Sequence, residues 1–356
     1  MNKIDFARKS FTAFNGRKFQ VTYCRINGNT PGPVLSLVAG QHGMEHIGPN
    51  MLKLLITEIK NLDFNGTLYV CPCANPPALE LDYEFYPEQE DLSRLDEYYY
   101  SVFRHSYCVF GLHRQSEKKN WYNMNRLWNR KESRGIAGEI TDWLWNEIIL
   151  PADVIIDFHS LQAEKPVIFN SDQRSVMLAG LFGIEAVLDT GENSIDDYKN
   201  HTLIRQIHTI KPKLGFTVEF SKQHGLKESE YSIGLQGIKN IMKSIGMIGG
   251  DIIHERPVYF ITNNNACELR AQSNGHIRYF FEQYAPVKTG DVVFEISNLE
   301  TLEITEKHNA PVNGIMSSRL PGAVAKPGEI VCSLAEAKLL FPAGKCLEKV
   351  PVLQKV

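Results

Sequence analysis

Short apolar runs rich in β-branched residues alternate with longer amphipathic segments between Lys18 and about Gly250. This alternation is typical of an α/β layer built on a largely parallel or mixed sheet. The predicted strands cover residues 19–25, 34–39, 67–71, 154–158, 167–169 and 215–220. Helical spacing of apolar residues predicts helices over residues 48–60, 135–149 and 230–245. We therefore expect an open sheet with helices on its faces.

The sequence pattern changes after about Gly250, where short alternating strands and Pro and Gly turns replace the helical segments. The sequence Lys-Thr-Gly-Asp-Val-Val at 288–293 is echoed by Lys-Pro-Gly-Glu-Ile-Val at 326–331, and each places a turn before an apolar strand. We expect two domains, with residues 1–250 forming the α/β part and residues 251–356 forming a small flattened barrel or sandwich.

One stretch interrupts the first part. Residues 81–104 are dense in Asp, Glu and Tyr and look inserted. An insertion next to a pocket can serve as a lid or as a subunit contact, and it can also be a solvated helical excursion. Both interpretations remain open, as does assembly into a homo-oligomer.

Composition excludes several classes of partner. The chain has 356 residues, 43% hydrophobic residues and a formal net charge of −3, so nothing favours nucleic acid as a partner. No segment approaches the roughly 20 apolar residues that cross a bilayer, and the N-terminus lacks the apolar run of a signal peptide. The seven cysteines show no framework spacing and are expected to be reduced. We expect a cytoplasmic protein that acts on small molecules.

The sharpest motif is Gly-Gln-His-Gly-Met-Glu at residues 40–45, directly after the apolar run 34–39. In an open α/β sheet the ligand crevice lies beyond the carboxyl ends of the strands, so His42 and Glu45 can converge there. Glycines at 40 and 43 allow a tight turn. Zinc accepts imidazole nitrogen and carboxylate oxygen, and an open catalytic site needs one more protein ligand.

A second strand end offers that ligand. The apolar run at 155–158 ends in His159, and Asp157 lies two residues earlier, on the same side of an extended strand. Asp157 can support the imidazole of His159, or it can be an ordinary charged strand terminus. We predict a zinc site formed by His42, Glu45 and His159.

With these motifs the chain resembles the succinylglutamate desuccinylase and aspartoacylase family, a branch of the zinc carboxypeptidase-like fold. Residues 40–45 are similar to the family's Gly-x-His-Gly-x-Glu motif, and residues 157–159 to its Asp-x-His element. Residues 75–78 resemble its Asn-Pro-x-Ala turn, and residues 123–126 its Asn-Arg segment. The resemblance covers most of residues 31–245 and is strongest to bacterial deacylases of the N-acetyl-diaminobutyrate type.

The resemblance implies an open mixed sheet with helices on both faces, one Zn²⁺ per chain, and hydrolysis of the amide bond of a small N-acylated amino acid. It implies that Glu219 is the catalytic base and acid, and that substrate is bound by Arg126, Asn125, Asn75 and Arg114. The sequence departs from the family after Arg126, where the usual Phe-Pro-Gly is Leu-Trp-Asn at 127–129. Residues 81–104 are a second departure, because they intervene before Arg114.

The resemblance also implies that the β-rich tail is similar to lipoyl and biotinyl carriers. Residues 297–307 lack the Met-Lys-type hairpin that would be modified, so we expect a structural domain that borders the pocket. Two other functions remain open. The same metal and glutamate would serve a carboxypeptidase-like peptidase, and the fold can also support a catalytically silent binding protein.

Overall fold

The computed structural model describes residues 2–12, 18–81, 124–130, 135–161, 163–191, 201–223, 225–320 and 322–347. The expectations placed on residues 82–104 and on Arg114 therefore lie outside the described residues. The α-helices in these ranges are α1 (Ile47–Glu58), α2 (Pro76–Leu81), α3 (Gly135–Leu144), α4 (Val176–Phe182), α5 (Leu203–His208) and α6 (Ser229–Ser244). A π-helical turn, Trp145–Ile149, continues α3, and short 3₁₀ turns cover Ile59–Asn61, Met124–Arg126 and Gln173–Ser175.

The first eight strands carry the α/β part. They are β1 (Ile4–Thr12), β2 (Lys18–Asn27), β3 (Val34–Ala39), β4 (Thr67–Cys71), β5 (Val154–Ser160), β6 (Val167–Asn170), β7 (Ala186–Asp189) and β8 (Leu214–Phe220). All six strands and all three helices predicted from the sequence are present within a few residues of their expected bounds. The mixed α/β fold is thereby confirmed.

Ten further strands follow residue 250. They are β9 (Ile252–Ile253), β10 (Val258–Arg270), β11 (Gly275–Tyr279), β12 (Pro286–Val287), β13 (Val292–Ser297), β14 (Ile304–Asn309), β15 (Gly314–Arg319), β16 (Val324–Ala325), β17 (Ile330–Phe341) and β18 (Cys346–Leu347). The described part of this region contains no helix, as its sequence indicates.

The large sheet is mixed, with the strand order β1-β2-β4-β3-β5-β8-β6-β7-β10-β17-β15-β12. Strands β4, β3, β5 and β8 are parallel neighbours at its centre. Every residue of β5 is buried, as expected for a strand covered on both faces. Helices α1, α4 and α6 pack on one face and α3 and α5 on the other, so the chain has a hydrophobic core on each side of the sheet.

The large sheet continues into the C-terminal region. Strand β10 pairs in parallel with β7, and it pairs in antiparallel fashion with β17. A separate sheet with the order β14-β13-β11-β16 faces the far end of the large sheet, and apolar side chains from both sheets fill the space between them. The C-terminal region is therefore built as a sandwich that shares strands with the α/β part.

The repeated turn seen in the sequence is repeated in three dimensions. The backbone N–H of Lys288 donates to Asp291 Oδ2 at 2.8 Å, and that of Lys326 donates to Glu329 Oε2 at 2.7 Å. Gly290 and Gly328 have φ values of 91° and 86°, a conformation that favours glycine. The two half-repeats thus use the same turn chemistry, as predicted.

Two further expectations concern the membrane and the cysteines. Within the described ranges, no helix is both long enough and apolar enough to cross a bilayer. Six cysteines lie in these ranges and all are free thiols, of which Cys24, Cys71 and Cys332 are buried. Reduced cysteines agree with the expectation from their spacing.

Candidate active site

The candidate site lies where the direction of the chain's crossovers changes. After β3 the chain crosses to β4 on one side, and after β4 it returns to β5 on the other side of β3. Such a switch point leaves a crevice at the carboxyl ends of the strands. His42 and Glu45 follow β3, His159 lies near the end of β5, and Glu219 is its register partner on β8. The four residues therefore meet at one edge of the sheet.

Three of these side chains form a compact cluster. The Nδ1 atom of His42 lies 2.9 Å from Glu45 Oε1, and the Nδ1 atom of His159 lies 2.9 Å from Glu45 Oε2. The ligand atoms of His42, Glu45 and His159 lie within 4.8 Å of one another, and all three residues are buried. Two imidazoles and a carboxylate at this spacing form a cluster that can bind a metal ion.

Glycines shape the turn that presents His42 and Glu45. Gly40 has a φ of 70°, which an L-residue rarely adopts. Gly43 is required for a different reason, because a Cβ atom there would lie 2.5 Å from the carbonyl oxygen of Ala78. The backbone of the motif therefore packs against α2 too closely for any side chain at residue 43.

Asp157 is connected to the cluster through His159. Its Oδ2 lies 2.9 Å from His159 Nε2, and its Oδ1 accepts a hydrogen bond of 2.7 Å from Gln41 Nε2. The carboxylate is fully buried, so it is not a solvated strand terminus. The Nε2–H of His159 can donate to Asp157, and in the neutral imidazole the lone pair of Nδ1 is then directed at the cluster.

A tryptophan fixes the orientation of this network. The indole Nε1–H of Trp128 can only donate, and it donates to Gln41 Oε1 at 2.8 Å. Gln41 must therefore present its NH₂ group to Asp157. Trp128 is fully buried and occupies the position of the proline in the family's Phe-Pro-Gly segment. This departure from the family pattern therefore supplies a hydrogen bond to the network around His159. The pattern of the sequence gave no signal for Gln41 or Trp128 because the two are 87 residues apart.

Replacing Trp128 by Phe should lower zinc affinity by about 10- to 100-fold, the usual effect of losing an outer hydrogen bond of a metal site. Phe keeps an aromatic ring in the core but removes the donor that orients Gln41. Competition of the purified protein with a chromogenic chelator measures the affinity. Trp145→Phe is the matched control, because Trp145 is buried in the same core but does not line the pocket. Equal zinc affinity of Trp128→Phe and wild type would show that Gln41 needs no such orientation.

The predicted substrate-binding residues occupy different positions. Asn125 and Arg126 line the pocket beside the cluster, and Asn125 Nδ2 lies 3.2 Å from His159 Nε2. Asn75 is buried and donates from Nδ2 to the carbonyl oxygen of Gln41 at 3.1 Å, so its contact organises the turn of the motif. Its contact with substrate stays a prediction, and Arg114 lies outside the described residues.

The pocket itself has a volume of about 440 Å³. His42, Glu45, His159 and Glu219 contribute to its lining, together with residues that the sequence did not single out: Ser160, Leu161, Phe169, Ser171, Thr190, Thr202, Ile204, Arg205, Thr217 and Gln223. Arg205 donates to the backbone carbonyl of Gly191 at 3.2 Å. A second guanidinium therefore faces the pocket beside Arg126.

Burial and neighbouring charges shift the acid and base groups. Burial raises the pKa of Glu45, but the two histidines outweigh it and hold that pKa at about 2. Burial raises the pKa of Glu219 to about 8. The charges of His159 and Arg126 oppose this rise, and those of Glu45 and Asp157 add to it. Burial lowers the pKa of His159, but Asp157 and Glu45 outweigh it and raise that pKa well above its ordinary value. The concentrated negative charge favours a cation here.

Comparison with known proteins identifies the family. The family model of the succinylglutamate desuccinylase/aspartoacylase catalytic domain matches residues 31–245. The chain belongs to this family. The resemblance stated from the sequence motifs is thus confirmed, and the matched residues contain every member of the metal-binding cluster and Glu219.

Relatives within the succinylglutamate desuccinylase/aspartoacylase family are distant in sequence. The chain is 20% identical over 318 residues to N-alpha-acetyl-L-2,4-diaminobutyric acid deacetylase of Halomonas elongata, with 86% of this chain and 82% of that protein covered. The product-bound ectoine utilization protein of Ruegeria pomeroyi has a TM-score of 0.60 at 18% identity, covering 94% of this chain and 95% of that one. A succinylglutamate desuccinylase from a Silicibacter species gives 0.62 at 18%, covering 95% of both chains. These structures share the fold.

Proposed function

We propose that the protein is a zinc-dependent deacylase that hydrolyses the amide bond of a small N-acylated amino acid. The observation that carries this proposal is the buried cluster of His42, Glu45 and His159, which opens with Glu219 into one pocket of about 440 Å³. Family membership and the similarity to an N-acetyl-diaminobutyrate deacetylase support it. The proposal concerns a non-peptide amide bond.

The residues of the cluster fit a zinc ion. Zinc prefers imidazole nitrogen and carboxylate oxygen, and a catalytic zinc site uses three protein ligands. His159 is held through Nε2 by Asp157, the support that metal-bound histidines usually have. When bound by His42, Glu45 and His159, zinc supplies Lewis-acid chemistry, polarising the amide carbonyl and making water more acidic.

Glu219 carries the proton transfers in the proposed mechanism. Its carboxylate removes a proton from a water molecule as that water attacks the amide carbonyl carbon. The same carboxyl group then returns the proton to the amine nitrogen as the C–N bond breaks. A raised pKa suits a group that must gain and lose a proton near neutral pH. Arg126 lies beside Glu219 in the pocket and can stabilise the negative charge that develops on the carbonyl oxygen.

The substrate's own carboxylate needs a cationic partner. Arg126 was the leading candidate in the sequence, and Arg205 faces the same pocket from α5. Guanidinium groups bind carboxylates through two parallel hydrogen bonds. We propose that Arg205 shares this role, with Asn125 positioned beside it, since the backbone N–H of Leu203 holds the side-chain oxygen of Asn125 at 3.0 Å.

Replacing Arg205 by Ala should raise KM for an N-acyl amino acid by about 10- to 100-fold, because a charge-assisted hydrogen bond contributes about 1.5–3 kcal/mol. The kcat value should change less, since the arginine binds a group that does not react. Arg278→Ala is the matched control, because the Arg278 side chain is exposed on β11 and does not line the pocket. An unchanged KM with wild-type zinc content would assign the carboxylate to Arg126 alone.

Two other functions fit the same fold. The same cluster would hydrolyse a peptide bond, but the similarity to an N-acetyl-diaminobutyrate deacetylase favours a small N-acylated amino acid. A silent binding protein would have no need of both a metal cluster and a base facing it. We further propose that residues 251–356 form a structural domain that is similar to lipoyl and biotinyl carriers and borders the pocket, joined to the α/β part through the pairing of β10 with β7.

The decisive experiment combines metal content with activity. Purified protein is analysed by elemental mass spectrometry, and the same sample is assayed for amine release from N-acyl derivatives of 2,4-diaminobutyrate, aspartate and glutamate. Near-stoichiometric zinc with release from at least one derivative supports the proposal. Protein that stays metal-free after zinc is supplied contradicts the mechanism and favours the binding protein.

A further inference from the structure

A second, larger cavity adjoins the candidate active site. It has a volume of about 870 Å³ and lies where the large sheet meets the C-terminal sandwich. Residues of β6, β7, β10, β11 and β15 line it, together with Leu320, Gly322 and Ala323. Leu161 and Phe169 line both this distal cavity and the active-site pocket. The two cavities therefore adjoin at these two side chains.

Apolar side chains form slightly more than half of the wall of the distal cavity, and its polar lining residues include Ser317, Ser318 and Ser333. The apolar side chains include Leu161, Val167, Phe169, Leu188, Ile261, Ala266, Ile277, Tyr279, Tyr284 and Leu320. Six of the apolar residues at this junction pack as a separate buried cluster, which includes Val167, Ile261 and Tyr284. Most ligand pockets have such walls, with few polar groups to fix orientation.

The charged lining residues are compensated by other side chains. Glu164 Oε2 lies 3.2 Å from Arg319 Nε, and Glu268 forms an ion pair with Arg270. The guanidinium of Arg319 also lies 4.1 Å from the ring centre of Tyr279, and its Nη1 donates to the carbonyl oxygen of Phe281. Among the lining residues that the structure describes, each charged group thus has an ionic partner, so the cavity favours an uncharged occupant.

One buried polar atom in the wall of the distal cavity lacks a hydrogen-bond partner. Gln283 is only 7% exposed and lines the cavity, and its Nε2 donates to the carbonyl oxygen of Ser317 at 3.2 Å. Its Oε1 has no hydrogen-bond partner among the described residues. Burying an acceptor without a partner is costly, and native proteins rarely do so. A hydroxyl group on a bound chain, or a water molecule kept beside that chain, would satisfy this oxygen.

We propose that the distal cavity binds an extended, uncharged acyl chain, so that the substrates are N-acyl amino acids whose acyl group is much longer than acetyl. This assignment rests on the proposed deacylase function. The amide lies at the cluster, the amino-acid carboxylate lies toward Arg126 and Arg205, and the acyl chain passes Leu161 and Phe169. Water attack then releases a free fatty acid and an amino acid.

The test is a chain-length series from acetyl to octanoyl on 2,4-diaminobutyrate, aspartate and glutamate. Octanoyl has six more methylene groups than acetyl, and burial of each is worth about two- to fourfold, so kcat/KM for octanoyl should exceed that for acetyl by about 60- to 4,000-fold. Ala323→Trp, at the exposed rim, and Ala266→Phe, in the wall, should remove most of this gain, measured as the ratio of kcat/KM for octanoyl to kcat/KM for acetyl in the same variant. Ala343→Phe, exposed and remote from the cavity lining, is the control.

The outcomes separate the two proposals. If acetyl is the preferred acyl group, or if Ala323→Trp and Ala266→Phe both keep the gain with chain length, the distal cavity does not bind the acyl chain. Either result leaves the proposed deacylase function standing. If no derivative is hydrolysed, the proposed function fails, and calorimetry with octanoate and acetate then tests the cavity. Octanoate binding that weakens at least about tenfold in Ala323→Trp supports the cavity as a site for apolar chains, and absence of octanoate binding to wild type overturns it.

Discussion

Replacing Glu219 by Gln should lower kcat by about 100- to 10,000-fold while zinc content stays at the wild-type level. General acid–base catalysis contributes a factor of this size, and the amide of Gln cannot take a proton from water. Glu219 faces the same pocket as the cluster but is not among the three clustered ligands, so its loss should leave the ligand set complete. Steady-state kinetics and elemental mass spectrometry on the same preparation measure both quantities.

The control is Glu300→Gln, an exposed glutamate in a turn of the C-terminal region, which should change neither kcat nor zinc content.

The pH profile of the wild-type protein gives a second readout. Because the base must be ionised, kcat/KM should fall as the pH drops through the pKa of Glu219. Burial raises this pKa from 4.5 to about 8, and a bound cation lowers it, so the acidic limb should lie between these values. Loss of zinc from Glu219→Gln would make this residue a ligand instead.

Replacing His159 by Ala should weaken zinc binding by about 60- to 700-fold. Sites with four ligands bind zinc with about 10–16 kcal/mol, so one ligand accounts for about 2.5–4 kcal/mol. Asp157 and Gln41 have contacts with the imidazole as well, so the mutation also removes the group that their hydrogen bonds hold. Metal content after dialysis against a weak chelator measures the loss.

His276→Ala is the matched control, because His276 is exposed on β11. It should retain full zinc content. Circular dichroism of His159→Ala checks that the sheet is intact, since a general loss of structure would also release metal. Folded His159→Ala protein with wild-type zinc affinity would contradict the ligand assignment and require a different donor set.

The sequence predicted the parts of the site that follow from local pattern. His42, Glu45 and His159 each stand at the end of an apolar strand, and strand ends of a parallel sheet meet at one edge. The catalytic role of Glu219 came only from the resemblance to the family, because a glutamate within an alternating strand carries no signal of its own. These assignments therefore rest on different kinds of information.

The remaining features depend on contacts between distant segments. Gln41 and Trp128 were not singled out, since a hydrogen bond across 87 residues leaves no pattern in the sequence. Arg205 was not predicted either, because an arginine in an amphipathic helix is usually a surface residue. Only the position of α5 beside the pocket shows that Arg205 lines it. Strand β1 was also missed, because its alternation includes charged residues and its place at the sheet edge is set by pairing with β2.

The large sheet continues across the domain boundary expected at residue 250. Strand β10, which follows this boundary, supplies the hydrogen-bond partners of β7. A protein shortened to residues 1–250 would leave the N–H and C=O groups of β7 that face β10 open to solvent and to other chains. Open sheet edges promote strand-to-strand aggregation. The C-terminal sandwich thus covers a sheet edge within its own chain, and we expect the shortened protein to aggregate more readily than the full chain.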